Sequence, residues 1–336
     1  MKQTINWFTL IIAFLLAAGV GGQAWAQTKG SSDSVRGSGV IINNGVTGDG
    51  AWEVAVEAGG DTGFGELDPV GFGPEDLIFE FITYVDDGDD GAFEELSSTT
   101  ITSPPALTGT GEVTSSGSFA GPNGTINWTA VATIPQGETV YEVVITFSAT
   151  SPFGDVQVIN YFDQDVFGAG DDVLILLGTP GNADFQMLTL DNTDDVGIGH
   201  FADYFPGSAA SYLGFAADEY SELQDTIESG AATFSVNGNI DTTSLTPTTD
   251  SRFPAADAFG PEDITGAYGF DLDPTATEAT LAFALGGSIS GDPVGPGPGP
   301  GDDDETVAIP TLSTFGILLL ALALMIATVF GVRRSL

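Results

Sequence analysis

The chain contains no cysteine. That excludes disulfides, thiolate metal sites, a cysteine nucleophile and a lipid-modified N-terminal cysteine. Histidine occurs once, as His200, which excludes the usual histidine-rich zinc site. Positive charge is also scarce: six Lys and Arg stand against 47 Asp and Glu in 336 residues. Residues 27–308 hold every acid and only Lys29, Arg36 and Arg252 of the bases. Such a body repels nucleic acid and anionic lipid, so no nucleic-acid partner is expected. It favours cations, calcium above all, or serves solubility in salt. It is not a disordered composition, because 42% of residues are hydrophobic and 10% aromatic.

Long apolar runs occur only at the two ends. The first 26 residues read as a signal peptide. Lys2 supplies the positive start, Trp7 to Val20 the apolar run, and Ala24-Trp25-Ala26 a small-x-small cleavage site. Cleavage is therefore expected after Ala26. The last 28 residues have three parts in order. Ile309-Pro310-Thr311-Leu312-Ser313 is a short motif, residues 315–332 form an uncharged run, and Arg333 and Arg334 follow. A helix over that run would be about 27 Å long, close to the apolar thickness of a bilayer. The arginine pair acts as a membrane stop on the cytoplasmic side and places the body outside the cytoplasm, in agreement with the export signal.

Motif, apolar helix and basic tail in this order resemble the IPTL-CTERM sorting signal, a relative of the PEP-CTERM signal of Gram-negative bacteria. The resemblance covers residues 309–336. It implies recognition by an exosortase-type membrane protease, cutting near the motif, and passage from the inner membrane to the cell surface. By analogy with sortases it also implies attachment to a surface glycan. The motif suits such a substrate physically, since Pro310 breaks the helix and leaves extended backbone at the membrane surface.

Residues 291–308, "GDPVGPGPGPGDDDETVA", cannot form helix or sheet and read as an extended spacer. Residues 27–36 are a similarly loose segment. Between them, residues 37–290 alternate with period two. "AWEVAVEAG", "LIFEFITYV", "TINWTAVATI", "YEVVITFSAT", "DVQVINYF", "DVLILLG", "FQMLTL", "ATFSVNG" and "ATLAFALGGSI" each read as a strand bounded by Gly, Asp, Asn or Pro. The expected fold class is all-β: a large antiparallel β-sandwich, with two smaller sandwiches as the alternative. One short helix is expected in "ADEYSELQDTIESG", with Tyr220, Leu223 and Ile227 on one face and Gly230 at its end. "VQVINYFDQDV" and "ATEATLAFALGG" resemble the large β-sandwich modules of many surface-sorted bacterial proteins. The hexapeptide "FGPEDL" (72–77) recurs as "FGPEDI" (259–264). It reads as a reused turn whose acids suit a helical first turn, duplication being the bolder alternative.

Acids cluster between strands. Asp163, Asp165, Asp171 and Asp172 are the best candidate calcium ligands, at the end of one strand and the start of the next. Calcium is the one cofactor the sequence suggests. "DDGDDG" fails as an EF-hand, with Gly88 at its third position and Ser97 where the bidentate Glu belongs. His200 is the only histidine that could act as a base, and no Gly-x-Ser-x-Gly elbow accompanies it in the body. No catalytic residue is therefore assigned. Two function classes remain. The first is a non-enzymatic adhesion, matrix or glycan-associated surface module, with calcium dependence where the aspartates bind. The alternative is a secreted polysaccharide hydrolase with paired carboxylates.

The ends carry a direct test. Mature protein recovered from the cell surface should begin at Gln27 and lack the residues after the motif, as read by intact mass. A main form that still carries Arg333 and Arg334 would leave only a plain membrane anchor.

Overall fold

A computed structural model describes residues 39–287 apart from 69–74, 87–91, 110, 165, 167–169, 171, 183–184, 193–195, 204–208 and 221. The signal peptide, the spacer and the 309–336 segment with its apolar helix lie outside the described residues. Among those described, no helix is long and apolar enough to cross a membrane.

Twenty strands are present among the described residues. β1 (Val40–Asn43), β2 (Trp52–Val56), β3 (Gly65–Leu67) and β4 (Glu75–Ile78) form a small meander. β5 (Glu80–Asp86) and β6 (Phe93–Glu95) begin a six-stranded sheet. β7 (Thr100–Gly109), β8 (Glu112–Gly121), β9 (Gly124–Thr133) and β10 (Val140–Ala149) form one flank of a ten-stranded sheet. The chain then alternates. β11 (Gln157–Asp163) joins the six-stranded sheet, and β12 (Asp172–Leu177), β13 (Gln186–Asp191) and β14 (Gly197–Asp203) the ten-stranded one. β15 (Ala210–Glu219), helix α1 (Glu222–Glu228) and β16 (Asn239–Ile240) follow on the smaller sheet. β17 (Pro247–Thr248) and β18 (Asp257–Glu262) form the far edge of the larger one. β19 (Ile264–Leu272) completes the six-stranded sheet, and β20 (Glu278–Gly287) enters the middle of the ten-stranded one, between β14 and β10.

Every ladder is antiparallel except the short β15–β16 pair. The ten-stranded sheet faces the other two, and a single hydrophobic cluster draws on all three. The fold is thus an all-β sandwich. The alternation explains why. Val113 and Phe119 of β8, Ile126, Trp128 and Ala130 of β9, and Val143, Ile145 and Phe147 of β10 are buried, while Thr114, Ser116, Ser118, Asn127, Thr129, Val144 and Thr146 take the opposite face. Gly117 of β8 has a steric reason. A Cβ there would fall 2.4 Å from Trp128 Cζ2 and 2.6 Å from the Thr100 carbonyl oxygen. Its absence lets the indole lie on the strand and donate to Thr99 Oγ1 at 2.9 Å.

Helix α1 lies on the outer face of the six-stranded sheet. Leu223 and Ile227 are buried against Tyr84, Ile159 and Tyr161. Gly230, with φ of 71°, closes the helix by donating to the Ile227 carbonyl. Tyr220 lies before the helix and meets Phe79 edge-on at 5.8 Å. Two local expectations are corrected. "ATFSVNG" forms no strand; its only ladder contact is the Ser235–Phe215 bridge. The acids of the repeated hexapeptide are not helical either, since Glu75 to Leu77 lie in β4 and Glu262 in β18. Phe72 to Pro74 lie outside the described residues.

The outer face of the large sheet is treated differently on its two halves. Over β12, β13 and β18, Val173, Ile175, Leu188 and Leu190 are covered by Phe253 and Ala256 of the segment before β18. Arg252, the only Lys or Arg among the described residues, ties that segment down. Its Nη2 lies 2.6 Å from Asp250 Oδ2, and its Nη1 donates to the Asp191 carbonyl at 3.1 Å. Over β7 to β10 no such described segment covers the outer face, whose residues are half-buried to exposed apart from buried Glu142. The edge strand β7 carries Pro104 and Pro105 and shifts register against β8 three times.

The clamp should be measurable. Arg252→Ala loses a charge-assisted bond to a carbonyl, so stability should fall by about 2 kcal/mol in denaturant titration. The 249–256 segment should become the first site of limited proteolysis. Unchanged stability and cleavage pattern would contradict the clamp.

Candidate functional site

His200 sits on β14 with its side chain wholly buried. Its Nε2 lies 2.7 Å from Oδ1 of Asn160 on β11, in the opposite sheet. Asn160 Nδ2 in turn donates to Thr83 Oγ1 at 3.2 Å, which leaves the amide oxygen to face the histidine. Nε2 is therefore the protonated nitrogen. Tyr268 Oη donates to the His200 carbonyl at 3.0 Å, and Phe162, Tyr268 and Phe81 surround the ring. Burial pushes the His200 pKa well below its usual value, so the ring is neutral. A base must reach its substrate, and this one is enclosed by aromatic rings. His200 is a bond between sheets.

A second polar group is sealed nearby. The buried turn Ala58–Gly60 enters the sandwich, where Gly59 N donates to Ser115 Oγ at 3.1 Å and Tyr141 Oη donates to the Gly60 carbonyl at 2.6 Å. Asp61 follows, 3% exposed, and its Oδ1 accepts from Thr83 N at 2.9 Å. Burial pushes its pKa from 3.8 up to about 8. Hydrogen bonds from Thr83 and Ser97 pull it down less strongly, and the Glu95 charge pushes it further up.

Two of the four predicted calcium ligands are among the described residues. Asp163 ends β11 and Asp172 opens β12; both are buried. Asp172 Oδ2 accepts from Val166 N at 3.4 Å. Asp165 and Asp171 lie outside the described residues. Among those described, no three His, Asp or Glu side chains are grouped to hold a metal ion. Two other acid groups are tied locally: Asp273 caps Thr275, and Asp271 accepts from Gln157 Nε2 at 3.0 Å.

One cavity of about 360 Å³ opens beside α1, between Thr226, Ala232, Ala217 of β15 and Ile240 of β16. Asp218 and Asp241 border it. Asp241 accepts from Thr243 Oγ1 and N, and these bonds hold its pKa below the usual carboxylate value. Glu80 and Asp271 are raised, chiefly by burial, but neither lines the cavity. The cavity has no aromatic wall on which a sugar ring would stack.

The open outer face of β7 to β10 and β20 is the larger surface feature. The ladders align Ser116, Thr129, Thr146 and Thr280 in one row across four strands. A parallel row holds Thr100, Ser118, Asn127 and Ser148. Hydroxyls contact one another along the sheet. Thr102 Oγ1 is 3.0 Å from Ser116 Oγ, Thr108 Oγ1 is 3.1 Å from Thr114 Oγ1, and Thr146 Oγ1 is 3.3 Å from Thr280 Oγ1. Rows of this kind are about 6.7 Å apart along a strand and about 4.8 Å from strand to strand. Acids occur only at the ends of these ladders, as Glu112, Glu142 and Glu278. Half-buried Phe201 of β14 stands at the same end as Glu142, across from Ala284.

No protein-family model matches this chain, and no curated protein does. Among solved structures, a bacterial glucoamylase in complex with acarbose is similar, with a TM-score of 0.47 and 11% identity over 81% of this chain. The chain spans 34% of the length of that glucoamylase. A protein from Synechocystis sp. PCC 6803 gives a TM-score of 0.38 and 8% identity, covering 78% of this chain and 100% of that one. A Pichia pastoris lysyl oxidase gives 0.32 and 10%, covering 67% and 50%. At these identities and TM-scores none of them assigns an activity to this chain.

Asp61 predicts a pH dependence. Its pKa is raised in the folded state, so the native protein prefers the protonated carboxyl. Its contribution is fully present below the unfolded pKa near 4 and declines as pH rises to about 8, with a total of roughly 5 kcal/mol. Denaturant midpoints of the wild type should fall across this window. Asp61→Asn keeps an acceptor for Thr83 N and should flatten the decline. Identical pH slopes in the two proteins would refute the assignment.

Proposed function

We propose that this chain is an exported, surface-sorted β-sandwich that acts as a non-enzymatic adhesion, matrix or glycan-associated module. One observation carries the binding part: a nearly charge-free hydroxyl face, uncovered among the described residues, on a protein with 47 acids. A merely solvated face would share the general acidity. The export part rests on the terminal segments, with the exosortase-type protease as the processing partner and the 315–332 helix as a transient membrane anchor.

The hydrolase reading needs a protonated carboxyl beside an accessible cleft. Asp61 is raised but sealed in the sandwich, whereas Asp241, which borders the cavity, is held low. His200 is likewise enclosed. These placements favour binding over catalysis.

Cells that display the chain should retain extracted matrix polysaccharide better than cells lacking it, and should release no reducing sugar from it. Display without any gain in retention would refute the binding role. Steady release of reducing ends by purified protein would revive the hydrolase.

A further inference from the structure

From the open sheet face we infer a specific partner class: a neutral, unbranched polysaccharide presented as an ordered surface and laid across the strands of β8, β9, β10 and β20. The inference rests on the reading of the chain as a glycan-associated module and names its ligand.

The first argument is charge. Residues 27–308 carry 47 acids and three bases, yet the outward positions in the middle of these four strands are Ser, Thr, Asn, Val and Ala. An anionic polymer would be repelled by the surrounding protein before reaching the face, and a cationic one would find carboxylates only at the ends of the ladders, at Glu112, Glu142 and Glu278, and none along the rows. A neutral polymer meets neither obstacle.

The second argument is the chemistry of the row. Ser and Thr hydroxyls each donate one hydrogen bond and accept others. A sugar chain offers the same mixed donors and acceptors at short, regular intervals. Ser116, Thr129, Thr146 and Thr280 stand in register, so their hydroxyls repeat at about the strand spacing of 4.8 Å in a fixed line. β-branched Thr on a strand has few rotamers, so little side-chain entropy is lost when such a row is bound. Val131 and Val144, adjacent in the neighbouring row, add an apolar strip for the faces of sugar rings. Phe201 at the margin adds an aromatic platform.

The third argument is shape. The segment that carries Phe253 and Ala256 covers the other half of this same sheet surface, so openness over β7 to β10 is not a general property of the fold. A broad, open face suits an extended surface, whereas the cavity beside α1 admits only a small molecule.

The test uses the full chain in non-ionic detergent and microcrystalline cellulose as the neutral ordered probe. Cellulose should deplete the protein from solution, and about 1 M NaCl should not release it, because no ion pair is involved. Ser116→Ala with Thr129→Val and Thr146→Val keeps strand-compatible residues and should cut binding at least about tenfold, with an unchanged melting temperature. Thr129→Glu alone should act in the same direction by placing charge in the row. Asp218→Asn with Asp241→Asn, at the cavity, should leave binding unchanged. No depletion by cellulose, or equal depletion by the triple variant, overturns the inference. Binding to extracted native matrix without binding to cellulose leaves the general module reading intact and removes this ligand class. Binding to neither removes both. Salt-sensitive binding confined to an anionic alginate gel overturns it as well. A wild-type dimer that Thr129→Glu converts to monomer would identify the occupant as a second copy instead.

Discussion

The sandwich depends on a hydrogen bond that crosses it. His200 reaches from the ten-stranded sheet to Asn160 in the six-stranded one, and Tyr268 returns from that sheet to the His200 backbone. Apolar packing alone is tolerant of sliding, because hydrophobic contact has no direction. A buried imidazole and amide tolerate little, since each costs much when unpaired. The pair thus adds a directional contact between the two sheets that apolar packing alone does not supply. The ring is neutral there because burial disfavours the charged form. Thr83 extends the same network to Asp61, so the polar interior is continuous from β14 to the turn before β3.

The surface obeys a second constraint. A chain with 47 acids must either spread its charge or remove some of it. Asp61 is neutralised by burial, while Asp241, Asp250 and Asp273 are held ionised by hydrogen bonds from neighbouring side chains and backbone. The single described cation is spent on one clamp, where it covers apolar strands. On the broad face of β8, β9, β10 and β20 the acids Glu112, Glu142 and Glu278 stand only at the ends of the ladders, and the rows between them are uncharged.

Much of this was legible in the chain, for reasons that can be named. β9 and β10 have one face buried and one solvated, so "TINWTAVATI" and "YEVVITFSAT" alternate visibly. Helix α1 was legible from Leu223, Ile227 and Gly230. β19, "ITGAYGFDL", was not: it is buried on both faces, which erases alternation, and Gly269 leaves room for the Phe234 ring rather than marking a turn. Phe234 itself made "ATFSVNG" look like a strand. The role of His200 depends on Asn160, forty residues earlier, and no local pattern links the two. Thr129 of β9 and Thr146 of β10 were visible as polar positions in alternating runs, whereas β8, "EVTSSGSFAG", was not read as a strand because Ser and Gly outnumber its apolar residues, and the alignment into rows follows from ladder register alone. Of the calcium aspartates, Asp163 and Asp172 stand at two buried strand ends nine residues apart in the chain, and Asp165 and Asp171 lie outside the described residues.

The edge strand has a consequence at the scale of a population. On the proposed surface-sorted reading, copies held side by side on an envelope would meet at high local concentration, the condition under which bare strand edges zip into fibres. Here the outermost strand is interrupted by two adjacent prolines, neither of which has an N–H to offer, and its irregular pairing bends the rim away from a straight template. Crowded molecules would therefore remain separate, each with its broad face free, as a carpet of independent units rather than a fused sheet.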